Sequence, residues 1–189
     1  MVRNMNLQFY HTFDSPFNSF TIIWKEIDTE IKIQRIFLSD PEINSEKKAI
    51  NNFTEIKQGS STKIDKLSYK IKKFLKGEEQ EFNLNLIDLN VCFKSQKKVL
   101  LAEYEIPRSW VSTYRRIANK IGILNGARVV GNSLARNPFP IIIPCHRAIK
   151  SSGELGGYQG GIEMKRTLLE MEGIEFSSKG KVITNRVYY

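Results

Sequence analysis

Cys145 and His146 stand side by side in Ile143-Pro144-Cys145-His146-Arg147, behind the apolar run Phe139 to Ile143. A thiolate is a strong, soft nucleophile, but a free thiol with a pKa of about 8.5 is only slightly ionised at neutral pH. Activation needs a base or a positive environment, and His146 and Arg147 supply both in sequence. The opposing reading is packing, because free cysteine is among the most buried residue types. Cys92, between Val91 and Phe93, reads as core. The histidines are His11 and His146, and with the two cysteines they show no zinc-site spacing.

Charge singles out the same neighbourhood. The chain has 189 residues and a formal net charge of +9. From Ile106 through Gly153 there is no Asp or Glu, while Arg108, Arg115, Arg116, Lys120, Arg128, Arg136, Arg147 and Lys150 fall inside that window. Those cations account for nearly all of the excess. An acid-free window around a candidate nucleophile points to a polyanionic partner, mainly nucleic acid. A solvated basic face is the plainer alternative.

The elements that must position these residues divide near Asn90. The first part, 1–90, reads as β followed by helix. Leu7 to Phe13, Phe20 to Ile27 and Glu30 to Leu38 are strand candidates, with breaks at Asp14-Ser15-Pro16 and a hairpin turn at Asp28-Thr29. Ser39 to Lys48 reads as a loop entering a short helix, and Thr54 to Lys63 as a polar connector. Ile64, Leu67, Ile71, Phe74 and Leu75 recur at helical spacing, with Gly77 as a stop. The alternation in Leu84 to Leu89 suggests a short strand.

The second part, 91–189, reads as mostly α. Phe93 to Glu105 is a helix candidate that ends before Pro107. Thr113 can cap a helix running to Ile121, with Gly122 as its stop, and Asn125 can cap another running to about Arg136. Two short helices joined by a tight turn form a helix-turn-helix pattern, weak alone and strengthened by the cations. A glycine-rich loop follows Gly153, and Ile162, Lys165, Leu168, Leu169 and Glu172 fall on a final helix stopped by Gly173. Lys181 to Tyr189 reads as a short strand or a tail.

Ala127-Arg128-Val129-Val130-Gly131-Asn132, then Asn137-Pro138-Phe139-Pro140-Ile141-Ile142-Ile143-Pro144-Cys145-His146-Arg147, resembles the O6-alkylguanine-DNA alkyltransferases (methylated-DNA–protein-cysteine methyltransferases). Ile106-Pro107 with Thr113-Tyr114, and Lys165, Leu168-Leu169 and Glu172-Gly173, extend the resemblance over about Phe93 to Gly173. Before that it is only architectural. It implies an α+β protein. An N-terminal small antiparallel sheet with helices, ribonuclease-H-like, supports a C-terminal mostly α domain with a helix-turn-helix that binds DNA and transfers the alkyl group.

The implied function is direct, single-turnover DNA repair. Cys145 would take the alkyl group from guanine O6 and keep it as a thioether, with no cofactor. His146 would draw the thiol proton through a water, Glu172 would orient His146, and Tyr114 would push on the flipping phosphate and donate to the base. The base must leave the stack. Arg128 would fill its place, and Thr113, Ala127, Gly131 and Arg136 would meet DNA alongside it, in the minor groove. Asn137 resembles the hinge residue, and Ala148, Tyr158, Gln159 and Pro140 would line the guanine pocket.

The chain departs from the family pattern at three places: Ala148 replaces a usual Val, Gln159 a common Ser, and Ser109 a usual Gly. The zinc ligands some members carry are absent, so no metal is expected. The expected partner is double-stranded DNA with an alkylated guanine, bound by a monomer. The few cysteines fit a cytoplasmic protein, and no apolar run approaches a membrane span. Two other readings stay open. A DNA-binding lesion sensor or helix-turn-helix regulator would explain the basic window but not the Cys-His pair. A cysteine hydrolase would draw its histidine from elsewhere, and His11 is the other candidate.

Overall fold

The computed structural model describes residues 7–27 and 30–189. They form a mixed α and β protein that divides into two compact units: residues 1–91 with Pro138–Pro140, and Cys92–Asn137 with Ile141–Tyr189. No described helix is long and apolar enough to cross a membrane.

Unit 1 is built on a four-stranded sheet. β1 (Gln8–Ser15), β2 (Asn18–Ile27) and β3 (Glu30–Leu38) are antiparallel neighbours. Ser15 pairs with Asn18, so the first hairpin closes through Pro16-Phe17, with Asn18 in the left-handed region where asparagine is tolerated. The turn expected at Asp28-Thr29 lies outside the described residues. Phe20, Ile22, Trp24, Ile33 and Ile36 are buried at 0–1% exposure and form the centre of the core. α1 (Ser45–Asn52) is capped by Asn44, whose side chain accepts from the Lys47 N–H. It sets Ala49 against Ile23 and Phe37. α2 (Thr62–Phe74) buries Ile64, Leu67, Ile71 and Phe74, and Gly77 follows at φ 91°.

Two expectations fail here. The connector Thr54 to Lys63 contains β4 (Ile56–Gln58), parallel to β1, and already enters α2 at Thr62. The sheet is therefore mixed, in the order β3-β2-β1-β4, and not purely antiparallel. The stretch Leu84 to Leu89 is not a strand. Leu84–Leu86 and Leu89–Val91 are 3-10 turns. Asn83 accepts from the Asn85 N–H, a local bond that competes with sheet pairing.

Unit 2 holds four helices: α3 (Lys94–Tyr104), α4 (Tyr114–Lys120), α5 (Ala127–Ala135) and α6 (Ile162–Met171). Thr113 caps α4 by accepting from the Arg116 N–H, and Gly122 follows at φ 76°. α5 corrects an expectation. Its N-cap is Gly126, without a side-chain bond, while Asn125 takes a left-handed turn position at φ 55°. A Cβ on Gly126 would stand 2.4 Å from Ile123 Cγ2, so the turn has room for no side chain there.

Two short two-stranded pairs complete unit 2, so it is less purely helical than its sequence suggests. β5 (Ser112–Thr113) runs parallel to β6 (Ala148–Ile149), and β7 (Glu175–Phe176) pairs antiparallel with β8 (Val182–Ile183). Val111, Ile149, Leu169 and Ile174 form a buried cluster that ties these strands to α6. Cys92 is half-buried and not core, beside a Phe93 that is 82% exposed.

Candidate active site

The run from Asn137 to Ile149 is buried throughout and largely irregular. Such a segment must find partners for its backbone groups. Asn137 provides one, its Nδ2 donating to the Ile143 carbonyl at 3.2 Å. Its side chain also bonds Cys145 and pulls the thiol pKa down. Ile141 sits at φ 73°, strained for a β-branched residue. The chain then tightens into a 3-10 turn, Cys145–Arg147, and β6. That turn sets Cys145 and His146 facing different neighbours although they are adjacent.

His146 is fully buried, and its Nε2 lies 3.0 Å from Glu172 Oε1. Glu172 is the C-cap of α6, followed by Gly173 at φ 78°. Arg147 holds the same carboxylate from a second side, Nε to Oε2 at 2.9 Å and Nη2 to Oε1 at 2.7 Å. Its Nη1 donates to the Ile106 carbonyl at 2.6 Å. Burial alone would raise Glu172, but His146 and Arg147 hold it down to about 2. It is therefore an anion that accepts from Nε2–H. Burial pushes His146 below its ordinary value against the pull of Glu172. The imidazole is thus neutral with its proton on Nε2, which makes Nδ1 the basic nitrogen.

Cys145 opens on a pocket of about 250 Å³ lined by Tyr114, Gly131, Leu134, Ala135, Cys145, Gly156, Gly157 and Tyr158. The thiol is 5% exposed, and burial pushes it up to about 11. Without a base it stays protonated. The Tyr158 hydroxyl is buried with no hydrogen-bond partner among the described residues, and its ring meets His146 edge-on at 6.3 Å. A Cβ on Gly156 would lie 1.9 Å from the Tyr114 Oη, so only glycine lets that hydroxyl reach its place.

The structure brings Cys145, His146, Glu172, Asn137, Tyr114 and Tyr158 into one site. Gly131 lines the pocket from α5. Arg128 and Arg136 are exposed, while Thr113 and Ala127 are half-buried at the starts of α4 and α5. Three expected lining residues are not on the pocket wall. The Ala148 side chain is buried in β6, and its carbonyl accepts from Lys165 Nζ at 2.7 Å. Pro140 groups with unit 1, and Gln159 turns beside Tyr158 without lining the pocket. Sequence reasoning missed the clamp of Arg147 on Glu172 and the lining role of Leu134, Ala135, Gly156 and Gly157. The glycine pair was the available signal for a close approach.

No cluster of three or more metal-ligating side chains occurs among the described residues. His11 lies on β1 with Nδ1 3.0 Å from the Gly59 carbonyl, in unit 1.

Residues 94–174 match the family model "6-O-methylguanine DNA methyltransferase, DNA binding domain". The methylated-DNA–protein-cysteine methyltransferase of Methanothermobacter thermautotrophicus is 43% identical over 116 residues, which are 61% of this chain and 65% of that protein. The chain thus spans just under two thirds of the length of this curated relative. The solved Mycobacterium tuberculosis O6-methylguanine methyltransferase is 31% identical, with a TM-score of 0.72 over 88% of this chain and 93% of that one. The M. tuberculosis OGT solved in complex with DNA is 32% identical, with a TM-score of 0.68 over 87% and 93%.

Proposed function

The chain belongs to the 6-O-methylguanine DNA methyltransferase family, and on that footing we propose that it repairs alkylated DNA by moving the alkyl group from guanine O6 onto its own Cys145. The observation that carries the reading is the thiol at the wall of a 250 Å³ pocket, with a neutral histidine held by an ionised glutamate beside it. A base that small and flat fits such a pocket, and the unpartnered Tyr158 hydroxyl offers it a hydrogen bond.

The reaction follows from those atoms. The Cys145 proton passes through a water to His146 Nδ1, and Glu172 stabilises the imidazolium that forms. The sulfur lone pair makes a bond to the alkyl carbon. The carbon–O6 bond breaks, its electron pair stays on the guanine, and Tyr114 supplies a proton to the base. The thioether is stable, so each molecule acts once and no cofactor takes part.

The alkylated O6 faces the duplex interior, so the nucleotide is flipped into the pocket. α4 and α5 act as a helix-turn-helix in the minor groove, where reading is nearly sequence-blind, as repair in any context requires. Arg128, exposed on α5, enters the stack, and Thr113, Ala127, Gly131 and Arg136 meet the strand around it. The acid-free window supplies the charge. Asn137 is the hinge between α5 and the active-site run. Ala148 acts through its backbone carbonyl, and Gln159 and Pro140 stand outside the first wall of the pocket. Unit 1, with a ribonuclease-H-like sheet, is a supporting domain. The protein works as a cytoplasmic monomer on double-stranded DNA.

The test is a duplex carrying labelled methyl on guanine O6. Label should move to the protein with a stoichiometry near one and stay on the Cys145 peptide. Absence of transfer, or full transfer by Cys145→Ala, overturns the reading. Binding without transfer would favour a lesion sensor.

A further inference from the structure

α3 carries a buried acid to which alkyl transfer assigns no task. Glu103 is wholly buried, and neither carboxyl oxygen has a hydrogen-bond partner among the described residues. Such a group is costly as an anion and tolerable as a neutral acid. Burial accordingly holds Glu103 up at about 8, with Lys165 and Arg147 pulling the other way.

Its titratable and charged neighbours come from every side. Lys165 reaches in from α6, fully buried, with Nζ on the Ala148 carbonyl and 5.9 Å from the Tyr114 ring centre. Cys145 and Arg147, on the 3-10 turn, and Tyr114, at the start of α4, each interact electrostatically with Glu103. Tyr189 closes the C-terminal side, its Oη 2.9 Å from the Ala102 carbonyl and 2.7 Å from Glu105 Oε2. Glu103 raises the pKa of Cys145 beyond what burial does, while Lys165 lowers it.

The buried basic groups are unequally engaged. Arg147 is taken by Glu172. Among the described residues of unit 2, Lys165 is the other buried basic group; burial brings it down to about 8, while Cys145 and Glu103 both pull it back towards the charged form. Resting on the alkyl-transfer reading, we propose that Glu103 is a positioning residue that sets how much of Cys145 is thiolate. One buried cation, Lys165, serves two buried acids, so a carboxylate at Glu103 and a thiolate at Cys145 exclude one another. A protonated Glu103 leaves the Lys165 charge to the sulfur and permits the nucleophile. An ionised Glu103 takes that charge and silences it. The thiol proton still leaves through His146, and Glu103 itself neither attacks nor bonds the substrate.

The thiol is titrated without DNA, so the outcome does not depend on alkyl transfer. Carbamidomethylation of Cys145 by iodoacetamide is followed by peptide mass spectrometry between about pH 6 and about pH 10. The full chain is compared with Glu103→Gln, Glu103→Leu and Glu103→Asp, each with a thermal melt. The rate for the unaltered chain should rise less steeply above about pH 8, where Glu103 ionises. Lys165 loses its own proton near the same pH, so Gln and Leu should both shrink that break without abolishing it and react up to about tenfold faster near pH 8, the effect of roughly one unit of coupling between neighbouring acids. Asp should restore the break. A profile unchanged by Gln and Leu, or shifted by one factor at every pH, overturns the proposal and leaves Glu103 a packing role. If the unaltered chain transfers no methyl from DNA, the alkyl-transfer reading fails, and the thiol titration still decides on Glu103.

Discussion

Arg147 and Glu172 are joined by two parallel hydrogen bonds, at 2.9 and 2.7 Å, across 25 residues of sequence. The carboxylate that orients His146 is therefore fixed from a second direction. Arg147→Lys keeps the charge and loses the fork. Transfer from alkylated duplex should slow by about tenfold, the order lost when a supporting hydrogen bond is removed. DNA affinity should hold. Single-turnover rates and binding isotherms measure the two separately.

The same clamp makes stability depend on acid. Glu172 has a folded pKa near 2 against an ordinary 4.5, a depressed value. Its contribution is complete above about pH 4.5 and is lost as pH falls towards 2. The gap corresponds to roughly 3 kcal/mol in order of magnitude. Urea unfolding midpoints should fall steeply across that window. In Glu172→Gln the fall should be shallower, starting from a less stable protein.

Glu103 acts in the opposite sense. Its folded pKa of about 8 lies above the ordinary 4.5, so its neutral form favours the fold most fully below that lower value. This advantage is lost as pH rises through 8. Glu103→Leu should therefore stabilise the chain more near pH 8 than near pH 5, by about 1–4 kcal/mol, as for other buried ionisable groups replaced by apolar ones. Thermal melts at the two pH values check the sign.

Gly156→Ala places a methyl group 1.9 Å from the Tyr114 hydroxyl. Gly156 itself is not at positive φ, so the backbone tolerates alanine. The expected result is a folded protein whose transfer from duplex falls about a hundredfold or more, because small misplacements of catalytic groups are costly. A rate within twofold of the unaltered chain would show that Tyr114 is dispensable.

Arg128 is exposed on α5 and is not among the residues that line the pocket. Arg128→Ala should slow repair in duplex far more than transfer from free O6-benzylguanine, which needs no flipping. Comparing the two substrates isolates the step, and equal losses would contradict the role.

Much of unit 2 is legible in the sequence because its signals are local. Thr113, Gly122 and Gly173 mark helix ends by capping and left-handed geometry, and they do so in the fold. β4 is not legible, since Ile56-Lys57-Gln58 pairs with β1 from about 48 positions away and carries no alternation of its own. The alternation at Leu84 to Leu89 misleads because the Asn83 side chain closes a turn first. Glu103 reads as a surface residue by type. Its spacing says otherwise: it stands three and four positions after Leu100 and Val99, on the face that α3 buries.

Pro138–Pro140 belong with unit 1 while the residues on either side belong with unit 2, and the Pro138 carbonyl accepts from the Ile36 N–H at 2.7 Å. A single cut after Val91 therefore parts the sheet of unit 1 from three residues that group with it. Swapping the C-terminal piece between relatives would import three residues fitted to another sheet. A change at Ile36 or at Pro138 therefore has to respect a hydrogen bond that joins positions about a hundred residues apart.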